Sequence, residues 1–156
     1  MGSDSDFPVM RKAIEELEDF GVEYEVSVAS AHRTPERVAD MASSAAGRGV
    51  EVIIAGAGMA AALPGVIAAH TTVPVIGVPL SGSALDGVDA LYSIVQMPPG
   101  IPVATVGIDG ARNAAVLAVQ LLAMHDAELA EKLATYRTQM ADGVAEKNDS
   151  IQQMLD

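Results

Sequence analysis

The chain has 156 residues, enough for one domain with a buried core and too few for two ordinary domains. Half of the residues are hydrophobic but only 3% are aromatic, so the core has to be built from Ala, Val, Ile, Leu and Met. The net charge of −12, without a basic stripe, argues against nucleic acid and anionic membranes as partners. There is no cysteine, which excludes disulfides and thiolate chemistry.

Helical and strand patterns alternate along the chain. Hydrophobic residues at helical spacing predict helices, the first ending at Gly21 and the others covering 35–49, 63–71, 86–97, 111–125 and 127–156. Alternating or continuous hydrophobic runs predict an edge strand over 23–30 and buried strands over 50–55, 73–78 and 102–107. Thr34 followed by Pro35 predicts an N-cap and the first helical position.

This alternation predicts an α/β fold with a parallel sheet and helices on both faces. We expect a single domain over 1–156, with an α/β core over 1–125 and a C-terminal helical extension over 126–156. The last helix has no strand to cover. Its apolar stripe, from Leu129 to Met140, is therefore expected to pack on another subunit; the alternative is a loosely docked tail.

The beginning of the chain departs from the usual pattern. A doubly wound sheet normally opens with a strand that leads into the first Gly-rich turn. Here the turn Gly2–Asp6 follows Met1 directly, and four predicted strands remain. We therefore expect either a chain start that lacks the first strand or a sheet with an unfilled slot.

Two loops that adjoin predicted strands or helices carry candidate binding groups. The Gly2–Asp6 turn offers glycine, hydroxyls and a helix start, which suit an anion or phosphate; the alternative is a plain helix cap by Ser5 or Asp6. In the second loop, Ser30–Pro35, His32 suits proton transfer and Arg33 can hold a phosphate or carboxylate. The alternative for this pair is a surface histidine and a solvated arginine.

A third loop follows a predicted buried strand, and several polar residues elsewhere give weaker signals. The glycines of Gly56–Met59 allow close approach of a ligand or make a mere turn, and they complete no dinucleotide fingerprint. His70 and His125 are expected to be structural, and without a histidine–carboxylate cluster we expect no metal site. Three polar residues after the predicted strand 73–78 either line a ligand pocket at the strand ends or cap the following helix: Ser81, Ser83 and Asp86. The absence of a G-x-S-x-G elbow argues against a serine hydrolase.

Several motifs in order give the chain a resemblance to a known family. They are Met1-Gly-Ser-Asp-Ser-Asp6, Ser30-Ala-His-Arg-Thr-Pro35, Ile54-Ala-Gly-Ala-Gly58, Leu63-Pro-Gly65 and Tyr92-Ser-Ile-Val-Gln-Met-Pro98. Together they resemble the 5-(carboxyamino)imidazole ribonucleotide mutase family (class I) of purine biosynthesis, over about residues 1 to 137.

The resemblance implies a flavodoxin-like three-layer sandwich, a cytoplasmic homo-octamer, no metal and no organic cofactor. The implied reaction moves a carboxyl group from the exocyclic nitrogen of the substrate to the neighbouring ring carbon. By motif match, His32 would carry the proton. The phosphorylated substrate would be held by Ser3, Ser5, Asp6, Ser30, Arg33 and Gly58.

Two segments depart from the family pattern. Where the third loop usually continues Gly-Ala-Ala-His, this chain has Met59-Ala60-Ala61-Ala62. If the replaced glycine needs a positive φ, Met59 is strained or the loop is rearranged. The segment 108–111 is also about two residues shorter than usual.

The departures leave two alternatives to the mutase. One is an aminoimidazole ribonucleotide carboxylase that uses free carbon dioxide. The Arg33-Thr34-Pro35 and Ala55-Gly56-Ala57-Gly58 patterns favour the mutase branch over it. The other is a non-catalytic protein that keeps the nucleotide site and has lost the chemistry.

Overall fold

A computed structural model describes residues 1–155. The helices are α1 (Phe7–Phe20), α2 (Pro35–Ser44), α3 (Leu63–His70), α4 (Val88–Val95), α5 (Ala111–Leu122) and α6 (Ala127–Leu155). The strands are β1 (Ile53–Gly58), β2 (Val75–Leu80) and β3 (Ala104–Thr105). Short 3₁₀ turns cover Asp4–Asp6 and Ala46–Arg48. Asp156, the last residue of the predicted C-terminal helix, lies outside the described residues.

The strands form one parallel sheet in the order β1-β2-β3. In its register Ile53 lies opposite Val75, and Gly58 lies opposite Leu80. One buried cluster joins α1, α5 and the start of α6 to the sheet, and a second joins α2, α3 and α4 to it. The predicted parallel sheet with helices on both faces is confirmed.

The helix that ends at Gly21 is confirmed. Gly21 has a φ of 73°, and its N–H donates to the carbonyl of Glu18, which is a left-handed cap that glycine adopts without strain. Thr34 and Pro35 do open α2, but the expected cap is absent. The Thr34 hydroxyl instead bonds with the backbone of Ser30.

The predicted edge strand over 23–30 is wrong. No strand ladder includes these residues, and the apolar side chains of the alternating pattern, Tyr24, Val26 and Val28, are 43–49% exposed. A β-strand requires a neighbouring strand with which its backbone forms hydrogen bonds, and here the segment bonds in this way with the single residue Met1. The α-amino group of Met1 donates to the Ser27 carbonyl, and the Met1 carbonyl accepts from the Ala29 N–H.

The other strands lie two or three residues later than predicted at their starts, and β3 is reduced to two residues. β1 and β2 extend through Gly56, Gly58 and Pro79, residues with poor strand propensity. The parallel ladder between β1 and β2 overrides that propensity because it satisfies their backbone groups inside the protein.

The C-terminal helix contacts its own chain more than the sequence suggests. Leu129 is buried, Leu133 and Tyr136 pack on the cluster of α1 and α5, and the rings of Phe20 and Tyr136 lie 5.2 Å apart. The expectation that the whole stripe packs on another subunit is therefore corrected for these residues. Met140 and the apolar side chains beyond it are exposed.

Small residues let the helices approach the sheet closely. A Cβ added to Gly77, in the middle of β2, would lie 2.4 Å from Cγ2 of Ile94 and 2.9 Å from Cγ1 of Val103. Both neighbours are β-branched and stiff, so they cannot turn away.

We expect Gly77→Ala to lower the free energy of unfolding by about 1–3 kcal/mol through overpacking. Gly47→Ala is the matched control, because nothing lies within 4 Å of its added Cβ. Urea unfolding of the two variants measures the difference. Equal midpoints for Gly77→Ala and Gly47→Ala would contradict the close packing of α4 on β2.

Candidate active site

The candidate site lies where the parallel strands end. β1 ends at Gly58 and β2 at Leu80, at the same edge of the sheet. The two bonds of Met1 with Ser27 and Ala29 are those of a parallel pair. They bring the turn that follows Met1 beside the turn that follows Ala29. Ligands of open α/β sheets bind at this edge.

The Gly2–Asp6 turn is held by a reciprocal capping box. The Ser3 N–H donates to Oδ2 of Asp6 at 2.9 Å, and the Ser5 N–H donates to Oγ of Ser3 and to Oδ1 of Asp4. The Ser5 hydroxyl donates to that of Ser3 at 2.9 Å. The expected free backbone donors at Ser3 and Ser5 are thus occupied. What the turn presents is a pair of linked hydroxyls and the second oxygen of the Asp6 carboxylate.

The Ser30–Pro35 turn is built around one hydroxyl. Oγ of Ser30 accepts from the backbone N–H of Arg33 and from its Nε, both at 3.3 Å. The bond from Nε fixes the inner nitrogen of the Arg33 guanidinium and leaves its two terminal nitrogens for a ligand. His32 lies between these residues in the turn and is exposed. The structure thus places the predicted histidine and arginine in one tight turn.

The loop after β1 is strained where the sequence departs from the family pattern. Met59 has a φ of 56° and Ala61 a φ of 36°, which are left-handed values that residues other than glycine rarely adopt. The expected strain at Met59 is therefore confirmed. The Met59 side chain is 67% exposed, so no burial compensates for the backbone. Gly58, next to it, lies against β2, since an added Cβ would be 3.4 Å from the Leu80 carbonyl oxygen.

Asp109 joins two of the loops, and the sequence analysis did not single it out. Its carboxylate accepts from the Ser81 N–H at 3.0 Å and from the Ser81 hydroxyl at 2.6 Å. Asp109 itself has a φ of 56°. The sequence marked this loop by its short length and by the Asp109-Gly110 turn signal, but the partner of Asp109, 28 residues away, could not be predicted from either.

The remaining polar candidates lie apart from this set or bond elsewhere. Ser83 donates to the carboxylate of Asp89, in the first turn of α4, and neither Ser83 nor Asp86 caps that helix. His70 ends α3 and is exposed, as is His125 after α5. Among residues 1–155, no group of three or more histidines and carboxylates could hold a metal ion. Over the same range, no helix is both long and apolar enough to cross a membrane.

The predicted site is open in the single chain. The exposed residues Ser5, His32 and Arg33 line neither the cavity beside α2 at Arg37 and Arg48 nor the groove between β1 and the segment 22–29. A parallel α/β sheet with a hydroxyl-rich turn and a His-Arg turn at its carboxyl edge defines the class of α/β proteins that bind small molecules there. Within that class, the chain belongs to the AIR carboxylase family, whose sequence profile matches residues 1–143.

Individual relatives are similar over nearly all of the chain. The N5-carboxyaminoimidazole ribonucleotide mutase of Pyrococcus abyssi is 64% identical over 140 residues, which cover 90% of this chain and 80% of that protein. The mutase of Thermotoga maritima is 53% identical over 154 residues, 99% of this chain and 90% of that one. The phosphoribosylaminoimidazole carboxylase of Saccharomyces cerevisiae is 54% identical over 152 residues, but the match covers only 27% of its length.

The fold has close counterparts among solved structures. The crystal structure of Treponema denticola PurE superposes with a TM-score of 0.84 at 31% identity, covering 96% of this chain and 94% of that one. This agreement confirms the expected flavodoxin-like arrangement of helices on both faces of a parallel sheet.

We expect Met59→Gly to raise the free energy of unfolding by roughly 0.5–1 kcal/mol. The left-handed backbone costs an L-residue about 1–2 kcal/mol, which glycine avoids. The greater conformational entropy of glycine in the unfolded chain offsets part of this stabilisation. Met140→Gly is the control, because Met140 is also exposed but lies within α6, where glycine destabilises. Chemical denaturation should move the two variants in opposite directions. A loss of stability in both would show that Met59 is not strained.

Proposed function

We propose that this chain is an N5-carboxyaminoimidazole ribonucleotide mutase, an isomerase of purine biosynthesis. The observation that carries the proposal is the 53–64% identity to proteins of that name over 90–99% of the chain. The geometry supports it, because the turns that contain Ser3, Ser30 and His32 lie at one edge of the sheet.

The proposed reaction has two steps. The bond between the exocyclic nitrogen and the carboxyl carbon breaks, releasing carbon dioxide, and the nitrogen takes up a proton. The neighbouring ring carbon then attacks the carbon dioxide, forms the new carbon–carbon bond and loses its own proton. Atoms and charge balance within the substrate, since one proton is taken up and one is released.

His32 is the proposed carrier of that proton. A histidine can give a proton to the exocyclic nitrogen in the first step and take one from the ring carbon in the second, because it changes charge near neutral pH. The exposed position of His32 in its turn leaves the imidazole free to face a ligand. Carbon dioxide has to be retained between the steps, which requires a site closed to water.

The proposed substrate contacts use groups that the turns leave available. Arg33 has five N–H donors, and the Ser30 hydroxyl occupies only its Nε, so the rest can bind the phosphate. Asp6 keeps one carboxylate oxygen for a ribose hydroxyl, and the hydroxyls of Ser3 and Ser5 extend the same surface. Gly58 would let the planar ring lie against the backbone.

The carboxylase that uses free carbon dioxide remains the second candidate. The observation that favours it is the altered loop at Met59 to Ala62. The carboxylase name of the yeast relative belongs to a protein of which this chain spans about a quarter, so that name adds little support.

We further propose that the chain works in the cytoplasm as a homo-octamer. Two helical segments are among those that expose several apolar side chains: the segment on and just before α4 (Leu85, Val88, Tyr92 and Val95) and the outer half of α6 (Val144, Ile151 and Met154). Exposed apolar patches of this kind mark interfaces between proteins. A second copy would also close the open site.

We expect His32→Asn to lower kcat by at least about 100-fold while changing KM little, because the side chain moves a proton without holding the substrate. His70→Asn is the matched control, an exposed histidine at the end of α3. The assay follows conversion of N5-carboxyaminoimidazole ribonucleotide by the purified protein. Wild-type turnover by His32→Asn would remove His32 from the mechanism.

The same assay separates the three candidate functions. A mutase converts the carboxylated substrate without added bicarbonate, whereas a carboxylase converts aminoimidazole ribonucleotide at a rate that depends on bicarbonate. A non-catalytic protein binds nucleotide without turnover. Absence of turnover at both low and high salt would overturn the mutase proposal.

The proposed octamer predicts a solution mass eight times that of the 16.0 kDa chain. We expect Tyr92→Asp to reduce that mass, because it puts a charge in the exposed apolar patch of α4. Ser43→Asp adds the same charge at an exposed polar position on α2 and should leave the mass unchanged. Light scattering after size-exclusion chromatography makes the measurement, and a monomeric wild type would contradict the octamer.

A further inference from the structure

Ser81 and Asp109 form a pair at the end of β2 that the proposed mechanism does not use. Ser81 follows Leu80 directly, and Leu80 lies opposite Gly58 in the register of β1 and β2. Neighbouring strands of a sheet are about 4.8 Å apart. The backbone of Ser81 therefore lies about one strand away from the glycine that is proposed to meet the ring of the substrate.

The position of Asp109 results from a bulge beside β2. The Val106 N–H donates to the Gly77 carbonyl, and the Asp109 N–H donates to the Pro79 carbonyl at 2.9 Å. Between these two bonds β2 advances by two residues and the neighbouring chain by three. The extra residue leaves Asp109 with a φ of 56° and turns its side chain toward Ser81.

Backbone strain is concentrated at the same edge of the sheet. Within residues 1–155, four residues other than glycine have a positive φ: Met59, Ala61, Asp86 and Asp109. All four lie in the loops that follow β1, β2 and β3. A left-handed backbone has to be offset by surrounding contacts, and such residues cluster at ligand sites. For Asp109 the offsetting contacts are its bonds with Pro79 and Ser81.

The hydrogen bond between the two side chains has a fixed direction. A carboxylate only accepts hydrogen bonds, so the Ser81 hydroxyl donates to Oδ2 of Asp109, at 2.6 Å. The Ser81 N–H donates to Oδ1 of the same carboxylate at 3.0 Å, which keeps that group in place. A hydroxyl that donates to a carboxylate still has two lone pairs. Oγ of Ser81 therefore faces a ligand as an acceptor and not as a donor.

Ser81 is held by two elements and remains exposed. Gly87, at the start of α4, lies so close that an added Cβ would be 3.2 Å from the Cα of Ser81. Asp109 holds Ser81 from the loop that follows β3. Within residues 1–155, Asp109 is the hydrogen-bond partner of the hydroxyl, and Ser81 is exposed. The lone pairs of Oγ are thus accessible to a ligand at the carboxyl edge of the sheet.

We propose that the Ser81–Asp109 pair is a further substrate-binding subsite, in which Oγ of Ser81 accepts from the N–H of the exocyclic nitrogen of the substrate. This inference rests on the proposed function. Asp109 is a positioning residue, because it acts on the substrate through Ser81. Gly58, which is proposed to meet the ring, is the neighbour of Leu80 across the ladder and brings the ring end of the substrate to Ser81.

The charges at the edge of the sheet support this orientation of the substrate. The Asp109 carboxylate repels a phosphate, so the phosphate does not suit the loops after β2 and β3. The Arg33 turn has terminal guanidinium N–H groups, which bind a phosphate well. The phosphate and the exocyclic nitrogen lie at opposite ends of the substrate. The site thus offers donors for one end, at Arg33, and an acceptor for the other, at Ser81.

The test measures the binding of two nucleotides by titration calorimetry: aminoimidazole ribonucleotide and its analogue with hydrogen in place of the amino group. We expect Ser81→Ala to weaken binding of the amino nucleotide about 5-fold, the effect of losing one neutral hydrogen bond. Binding of the analogue should stay unchanged. Ser83→Ala is the matched control, because the Ser83 hydroxyl belongs to the same loop and also bonds with a carboxylate, that of Asp89. This control should bind both nucleotides like the wild type.

Asp109→Asn tests the role of the carboxylate. Asparagine tolerates the left-handed backbone, and its Oδ1 can still accept from the Ser81 N–H, but its Nδ2 donates to Oγ of Ser81. The hydroxyl proton then turns outward. We expect about 3-fold weaker binding of the amino nucleotide, with unchanged hydrogen exchange of the Ser81 amide. In the Ser81→Ala background, Asp109→Asn should have no further effect.

Two results for Ser81→Ala would overturn the proposal: wild-type binding of the amino nucleotide, or an equal loss for both nucleotides. Either would show that the hydroxyl does not bond with the amino group, and an equal loss would point to a ribose hydroxyl or to a purely structural role. Wild-type affinity in Asp109→Asn would remove the positioning role of Asp109. Binding without turnover would contradict the mutase proposal alone, because these titrations require no reaction.

Discussion

The parallel ladder between β1 and β2 is the constraint on which the rest of the molecule depends. Because the two strands point the same way, the loops after Gly58 and Leu80 emerge at one edge, and every crossover returns as a helix on a face of the sheet. The single rung between Met1 and the segment 22–29 applies the same direction to the first two turns. A slip of either pairing would separate the residues proposed to bind and protonate the substrate.

Close packing made by small residues keeps that ladder buried. With 3% aromatic residues, the chain fills its interior with alanine, valine and isoleucine, and Gly77 lets α4 approach the sheet. Gly56 does the same for α1, since a Cβ there would lie 2.4 Å from Sδ of Met10. Gly56 therefore serves the packing of α1 on the sheet. Gly58 is the glycine that is proposed to contact the ring of the substrate.

The rung made by Met1 positions the first turn of the candidate site. Met1 pairs with Ser27 and Ala29, and the capping box of Ser3 and Asp6 follows it directly. The pairing of Met1 therefore places the turn that is proposed to hold the substrate. The strain at Met59 lies in the loop that follows β1. Order at the site is thus decided by backbone pairing in the sheet as much as by the side chains that face the ligand.

The sequence by itself determined the helices, the parallel class of the sheet and the two turns that contain His32 and Ser3, because periodicity, Pro35 and Gly21 act locally. It also indicated that a glycine position had become Met59. Only the tertiary structure decided that 23–30 forms no strand, since a strand exists through its neighbour and only Met1 is there. Three-dimensional contacts likewise decided three further features. Ser81 bonds with Asp109, Leu133 and Tyr136 pack on the core of their own chain, and the backbone donors of the Gly2–Asp6 turn are occupied. Such contacts join residues whose separation along the chain carries no local signal.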